Sequence, residues 1–257
     1  MKRPFPALFV LLITLVLSLG CKQQGQRLGE IQAGQIRIDS TLEQVDSLET
    51  FIEPYRNRLN EVLDIPLCYA PHSLSKTDGA LNSSLGNLMA DIILKQADMV
   101  FQRREGKGVD IALHNYGGMR TAISRGAVTE RTAFEVMPFE NAIVIVEMSG
   151  ATVRKMVDFL ARARNPHPVA GRRLVLDADG RPASISVQGR LLEDSKTYYV
   201  ATSDYLVGGG NGMTFLEAHS RLYKTGYKIR NAMIDYFREV DTLTSGVDDR
   251  VVQLREQ

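Results

Sequence analysis

The sequence predicts an α+β fold: a single mixed α/β domain in which mixed sheets are flanked by helices. Three observations carry this. Hydrophobic residues make up 44% of the 257-residue chain, enough for a substantial core. Helix-period and strand-like runs are interspersed throughout with no clear internal boundary and no fixed repeat. The segment "RRLVLDADGRPASISVQG" sets two strand-like runs around Asp177-Ala178-Asp179-Gly180, a hairpin signal.

The elements follow in order. Ser40 and Glu43 have capping-box spacing, which predicts a helix start near Ser40. Leu42, Val45, Leu48, Ile52, Tyr55, Leu59 and Val62 recur behind it at helical spacing, and Pro54 should kink or split that helix. After the loop "YAPHSLSKTDGALNSS", Ser84 is read as the cap of a second helix with Leu85, Leu88, Ile92, Ile93 and Met99 on its apolar stripe. A strand over Val109–His114 then runs into two glycines. A short helix over Thr129–Val136, a strand over Ala142–Met148 and a helix over Ala151–Arg164 come next. The hairpin, a strand in "TYYVATSDYL", a helix over Lys228–Val240 and a short strand near Val251 complete the chain.

Composition excludes some functions. Charged residues are 24% and the formal net charge is +1, so no basic face marks a nucleic-acid binder. Lys2 and Arg3 precede an almost continuously apolar run, Ala7 to Leu19, and then "SLGC". This has the form of a secretory signal peptide. Gly20 before Cys21 resembles a lipobox, which predicts lipidation at Cys21, a signal peptide over 1–21 and anchoring to the bacterial cell envelope by lipid alone. The polar, Gln- and Gly-rich stretch 22–35 reads as a tether, leaving 36–257 as the domain. Cys68, in "IPLCYAP", reads as a buried, inert thiol.

No H-E-x-x-H, C-x-x-C, G-x-S-x-G or P-loop is present, and His72, His114, His167 and His219 lie far apart in sequence. Two features remain. In "NYGGMR", Asn115 to Arg120, the glycines Gly117 and Gly118 permit positive φ and close approach of backbone to a ligand. Successive N–H groups in such a turn cradle anions or sugar oxygens, and Arg120 supplies a planar fork for phosphate or carboxylate. From the spacing alone, a tight strand-to-loop turn with a solvated arginine is the better-fitting reading. In "SDYLVGGGNGM", four glycines fall within Gly208–Gly212, either a complex turn or bare backbone, at Gly209 and Gly210, for a ligand to lie against. Phe139 and Tyr205 are two aromatics from separate loops that could sandwich a flat ring.

The order "SSLGNLMADII", "NYGGMR", "VMPFEN", "DYLVGGGNGM" resembles the C-terminal domain of 5′-nucleotidases, a periplasmic and ecto-enzyme family that includes UDP-sugar hydrolases. That family shows a G-N-L-x-x-D helix, an N-G-G-G-I-R loop, an L-P-F segment and a G-G-D-G-F loop in the same order. The resemblance covers roughly residues 36–257 and implies a layered α/β/β/α domain. It implies that Phe139 and Tyr205 stack on a base, that Asn115 and Arg120 contact base or ribose and phosphate, and that Asn211 stands where the family has a ribose-binding aspartate.

The departures shape the expectation. The metal motifs D-x-H and G-N-H-[ED] of the family's metallophosphatase domain are missing, and no leader long enough to hold that domain precedes the tether. The arginine before the G-N-L helix is replaced by "TDGALNSSLGN", Met213 replaces an aromatic, and Tyr205 replaces phenylalanine. The resemblance then implies a nucleotide-binding half of a 5′-nucleotidase-type hydrolase in nucleotide catabolism, with no catalytic residue, metal or cofactor of its own. A separately encoded, exported metallophosphatase would hold the divalent metals. The alternative is a non-catalytic lipoprotein that binds a nucleoside or nucleotide.

Overall fold

In a computed structural model, residues 32–163 and 165–254 are described; the expected signal peptide over 1–21, the expected lipidation site Cys21 and most of the expected tether lie outside them. The helices are α1 (Asp46–Leu63), α2 (Ser84–Glu105), α3 (Glu130–Val136), α4 (Gly150–Arg162), α5 (Asp204–Val207) and α6 (Ile229–Glu239). The strands are β1 (Pro66–Ala70), β2 (Ile111–Leu113), β3 (Gly126–Thr129), β4 (Ala142–Ser149), β5 (Val169–Ala170), β6 (Arg172–Leu176), β7 (Pro182–Val187), β8 (Arg190–Leu191), β9 (Thr197–Ser203), β10 (Arg221–Lys228) and β11 (Val251–Gln253). The expected α+β class with mixed sheets and flanking helices is what this chain adopts.

Two compact units meet in sequence at Phe51 and Ile52. In the described part of the first, Asp39 accepts from the backbone N–H of Thr41 at 3.0 Å and of Leu42 at 3.2 Å. This Asx turn occupies the position expected to start the helix, which begins at Asp46 instead. The assigned helix also runs through Pro54 without a break. A proline removes one ladder bond, and here the flanking turns hold.

The second unit is organised by a five-stranded sheet in the order β10-β4-β9-β2-β5, antiparallel except for the parallel β2–β9 pair. Alternation along its strands splits the core in two. Ile143 and Ile145 of β4, Ala201 of β9 and Ala112 of β2 join a cluster with α2, α3 and α6. Val146 and Met148, Val200, Ile111 and Leu113 face a second cluster. That cluster contains Val153, Met156 and Val157 of α4 and the inward side chains of the four-stranded sheet β11-β6-β7-β8. β1 and β3 form a separate antiparallel pair.

Local signals explain most helix starts. Ser83, not Ser84, caps α2, accepting from the backbone N–H of Gly86 at 3.2 Å. Ser84 is the first helical residue, and its hydroxyl donates to Asp78 and accepts from the Ser75 N–H at 3.0 Å. Thr129 caps α3 with a reciprocal bond to Thr132, and Ser149 caps α4; each such cap stabilises by about 1 kcal/mol. Gly106 ends α2 in the left-handed conformation at φ +66°. Cys68 is a buried free thiol, and burial pushes it up to about 11, which suppresses the reactive thiolate.

Candidate nucleotide site

Strand β2 delivers the first wall. It ends at Leu113; His114 donates its backbone N–H to Pro168, and Tyr116–Gly118 form a 3₁₀ turn. Contrary to the expectation from sequence, neither Gly117 nor Gly118 has positive φ. Gly118 is required for a different reason. A Cβ there would lie 2.2 Å from Nε2 of His114, whose ring is fully buried beneath the turn. At Gly117 a Cβ would meet nothing nearer than Asn115 Nδ2 at 3.4 Å.

The backbone cradle is also not what forms. The N–H of Tyr116 donates to Nδ1 of His167 at 3.1 Å. Those of Gly118, Met119 and Arg120 donate to the carbonyls of Asn115, Tyr116 and Val136. With these donors committed, the turn offers side chains rather than an amide nest. Arg120 is exposed, its guanidinium carbon 6.0 Å from the centroid of the Phe139 ring, within cation–π range.

The second wall is the segment between α3 and β4. Arg230, from α6 and nearly buried, pins it: its guanidinium donates to the carbonyls of Met137 and Phe139 and pairs with Glu140. Lys228 adds a second ion pair. Hydrogen bonds from these two cations hold the Glu140 carboxyl down at about 2. The backbone is thus fixed while the Phe139 ring stays 41% exposed.

The third wall follows β9. Ser203 caps the single-turn helix α5 by accepting from the Tyr205 N–H at 3.1 Å, and Tyr205 stands 49% exposed. The glycines behind it shape the turn. Gly209 and Gly212 take φ of +84° and +71°, and a Cβ on Gly210 would lie 2.6 Å from the Tyr205 ring. Asn211, itself left-handed at φ +56°, ties the walls together. Its Oδ1 accepts from Asn115 Nδ2 at 3.1 Å and from the Tyr205 hydroxyl at 3.4 Å.

Asn115, Gly117, Gly118, Arg120, Phe139, Tyr205 and Asn211 therefore line one cavity of about 410 Å³. Gly209 and Gly210 lie in the same loop but off the cavity wall. Two residues escaped the sequence reading. Asn141 lines the cavity and donates to Asp204 at 3.3 Å; its position two residues after Phe139 in "MPFEN" was the available signal. Lys76 reaches the rear of the turn, donating to the Met119 carbonyl at 2.7 Å with its Nζ 4.5 Å above the Tyr116 ring. Burial, and then the charge of Arg120, lower its pKa, so the two cations feel each other. Lys76 immediately precedes the stretch "TDGALNSSLGN".

A wider cleft of about 650 Å³ lies between α2, β10 and α6. Arg104 there donates to Thr225 and Arg238 pairs with Glu130 and Asp235, so much of its charge is already matched. Among the described residues, no group of three or more His, Cys, Asp or Glu side chains is placed to hold a metal ion, and no helix is long and apolar enough to cross a membrane.

The chain is 26% identical to an apyrase of Tabanus yao over 165 residues, 56% of this chain and 29% of that protein. It is 27% identical to protein UshA of Yersinia enterocolitica, over 58% of this chain and 28% of that one. It is 25% identical to a 5′-nucleotidase of Vibrio cholerae, over 86% of this chain and 39% of that protein. The chain thus spans well under half the length of these relatives. A 5′-nucleotidase precursor of Thermus thermophilus superposes with a TM-score of 0.67 at 25% identity, over 82% of this chain and 43% of that one. The NAD nucleotidase of Haemophilus influenzae shares the fold with a TM-score of 0.63 at 17% identity, over 83% of this chain and 42% of the other. The family model "5′-nucleotidase, C-terminal domain" matches residues 69–218, a span that contains every wall of the cavity: this chain belongs to the 5′-nucleotidase C-terminal domain family.

Proposed function

We propose that the cavity binds a nucleotide and that this chain is the substrate-binding half of a 5′-nucleotidase-type hydrolase. The observation that carries the reading is the convergence of two half-exposed aromatics and an exposed arginine on one cavity. Phe139 and Tyr205 stack on the base, which is worth about 1–3 kcal/mol per base–aromatic contact. Asn115 and Asn141 offer amide groups to the base edge or ribose. Arg120, with Lys76 behind it, attracts the phosphate.

Phosphoester hydrolysis falls to a separately encoded, exported metallophosphatase that supplies divalent metals. This chain's residues bind and orient: they hold the base at one end and leave the phosphate beside Arg120, where the metal-bearing partner docks. Cys21 carries the lipid that keeps the pair at the cell envelope.

One observation favours a second reading, a nucleoside- or nucleotide-binding lipoprotein without catalysis. Asn211 occupies the expected aspartate position as a neutral amide already bonded to Asn115 and Tyr205, and the second cation is a single lysine. Calorimetry of the chain with AMP and with adenosine, followed by AMP hydrolysis with and without the metallophosphatase, separates the two. The hydrolase reading predicts tighter binding of AMP and turnover only in the mixture. Equal affinities with no turnover in the mixture support the second reading, and efficient hydrolysis by this chain alone contradicts both.

A further inference from the structure

Val45, Leu48, Ile52, Tyr55, Leu59 and Val62 follow one another at alternating steps of three and four residues. That is a heptad repeat with an apolar residue at every a and d position, the spacing of a coiled-coil seam. The six lie on α1 or at its cap, where Val45 already accepts from the N–H groups of Leu48 and Glu49. No residue of α1 is buried, and these six are 38–63% exposed. Pro54 falls at position c, away from the seam.

A different side of α1 meets the rest of its domain. Arg131 of α3 donates to Asn60 at 2.7 Å and to Asp64 at 3.1 Å. These two residues stand at positions b and f, roughly opposite the seam. The contact that ties α1 down therefore leaves its apolar stripe uncovered.

A second copy of the same helix fits that stripe. Laid antiparallel about a twofold axis, the seam closes on itself: Val45 meets Val62, Leu48 meets Leu59 and Ile52 meets Tyr55, each layer formed twice. The flanking positions agree with this register. Glu49 of each copy falls beside Arg56 of the other, a pairing of opposite charges, and Phe51 beside Arg58, a cation near a ring. In a parallel pair Phe51 would face Arg56 and Leu63 would face Arg58, so no acid would meet a base.

We propose that α1 pairs with α1 of a second copy as a short antiparallel coiled coil, joining two chains through a face that carries none of the nucleotide-cavity residues.

Two measurements on the full chain in a non-ionic detergent test this. In sedimentation equilibrium the wild type is expected to show a concentration-dependent dimer. The double variant Leu48→Glu with Leu59→Glu puts two like charges into one layer and should raise the dissociation constant at least about a hundredfold. Its Tm should stay near that of the wild type, because no residue of α1 is buried. A wild type that is monomeric at every concentration, or a double variant that dimerises equally, overturns the proposal. Disulfide crosslinking tests the direction and needs no glutamate variant to fold. Leu48→Cys mixed with Leu59→Cys should give a crosslinked dimer on oxidation, while each alone should give no more than the wild type with its own Cys21 and Cys68. Crosslinking of each variant alone would mean a parallel pair, and no crosslink in the mixture would mean no such seam; either overturns the antiparallel arrangement.

Discussion

Two glycine-rich loops face each other across the cavity, and they use glycine for different physical ends. In "NYGGMR" the backbone is ordinary in φ, and Gly118 exists to let the buried His114 ring lie against the chain. In "VGGGNGM" the backbone turns through left-handed conformations at Gly209, Asn211 and Gly212, where a Cβ is strained. The first loop is set by packing and by committed N–H donors. The second is set by backbone freedom and tied by Asn211. One is a rigid wall; the other carries Tyr205 on an exposed turn.

The largest expected effect breaks the first wall. Gly118→Ala places a methyl 2.2 Å from His114 Nε2 and should cost about 3 kcal/mol, at the upper end for overpacking, or about 6–12 °C in Tm. Gly117→Ala should change Tm hardly at all. Thermal unfolding of the pair checks the contrast.

The second effect is acid sensitivity of the same wall. His114 is fully buried, both ring nitrogens lack partners, and burial holds its pKa down at about 4. The unfolded chain, near 6.5, binds the proton first, so stability falls as pH drops from about 6.5 towards 4. The loss approaches about 3 kcal/mol across that window. Glu140, with its pKa held at about 2, adds its own loss only below its usual carboxylate range. Denaturant titrations at several pH values should show His114→Leu to be flatter than wild type between pH 6.5 and 4.5.

Changes to the second loop should be felt in binding more than in folding. Gly210→Ala drives a methyl to 2.6 Å from both the Tyr205 ring and the Tyr205 carbonyl oxygen, so the stacking face is displaced and the turn strained: affinity for AMP should drop about tenfold, and Tm should fall by about 2–4 °C. The smallest effect is a gain. Asn211→Asp keeps an acceptor for Asn115 and Tyr205 and adds a charged acceptor for ribose hydroxyls, so adenosine should bind a few-fold more tightly by calorimetry.

The same contrast explains what was legible in the sequence. Elements with local signals were readable: Thr129 and Ser149 head helices, and "LDADGRP" makes its hairpin. Strand β10 was not, because "RLYKTGYK" alternates lysine and arginine with half-buried residues in the manner of a protected edge strand. β1 was not legible either, because its ladder partner β3 and the bridge from Tyr69 to Thr242 lie far away in sequence. In the site, ordered motifs identified the aromatics and Arg120. The donor commitments of the turn, the ring under Gly118, Lys76 and the Asn211 bridge depend on residues up to 96 positions apart, and no local pattern encodes them.

The most direct test of the central claim is the affinity of AMP for wild type, Phe139→Ala and Tyr205→Ala by calorimetry. A base held between the two rings predicts a loss of about tenfold to a hundredfold in each single variant, with both proteins still folded. AMP binding that is unchanged in both variants would contradict the account.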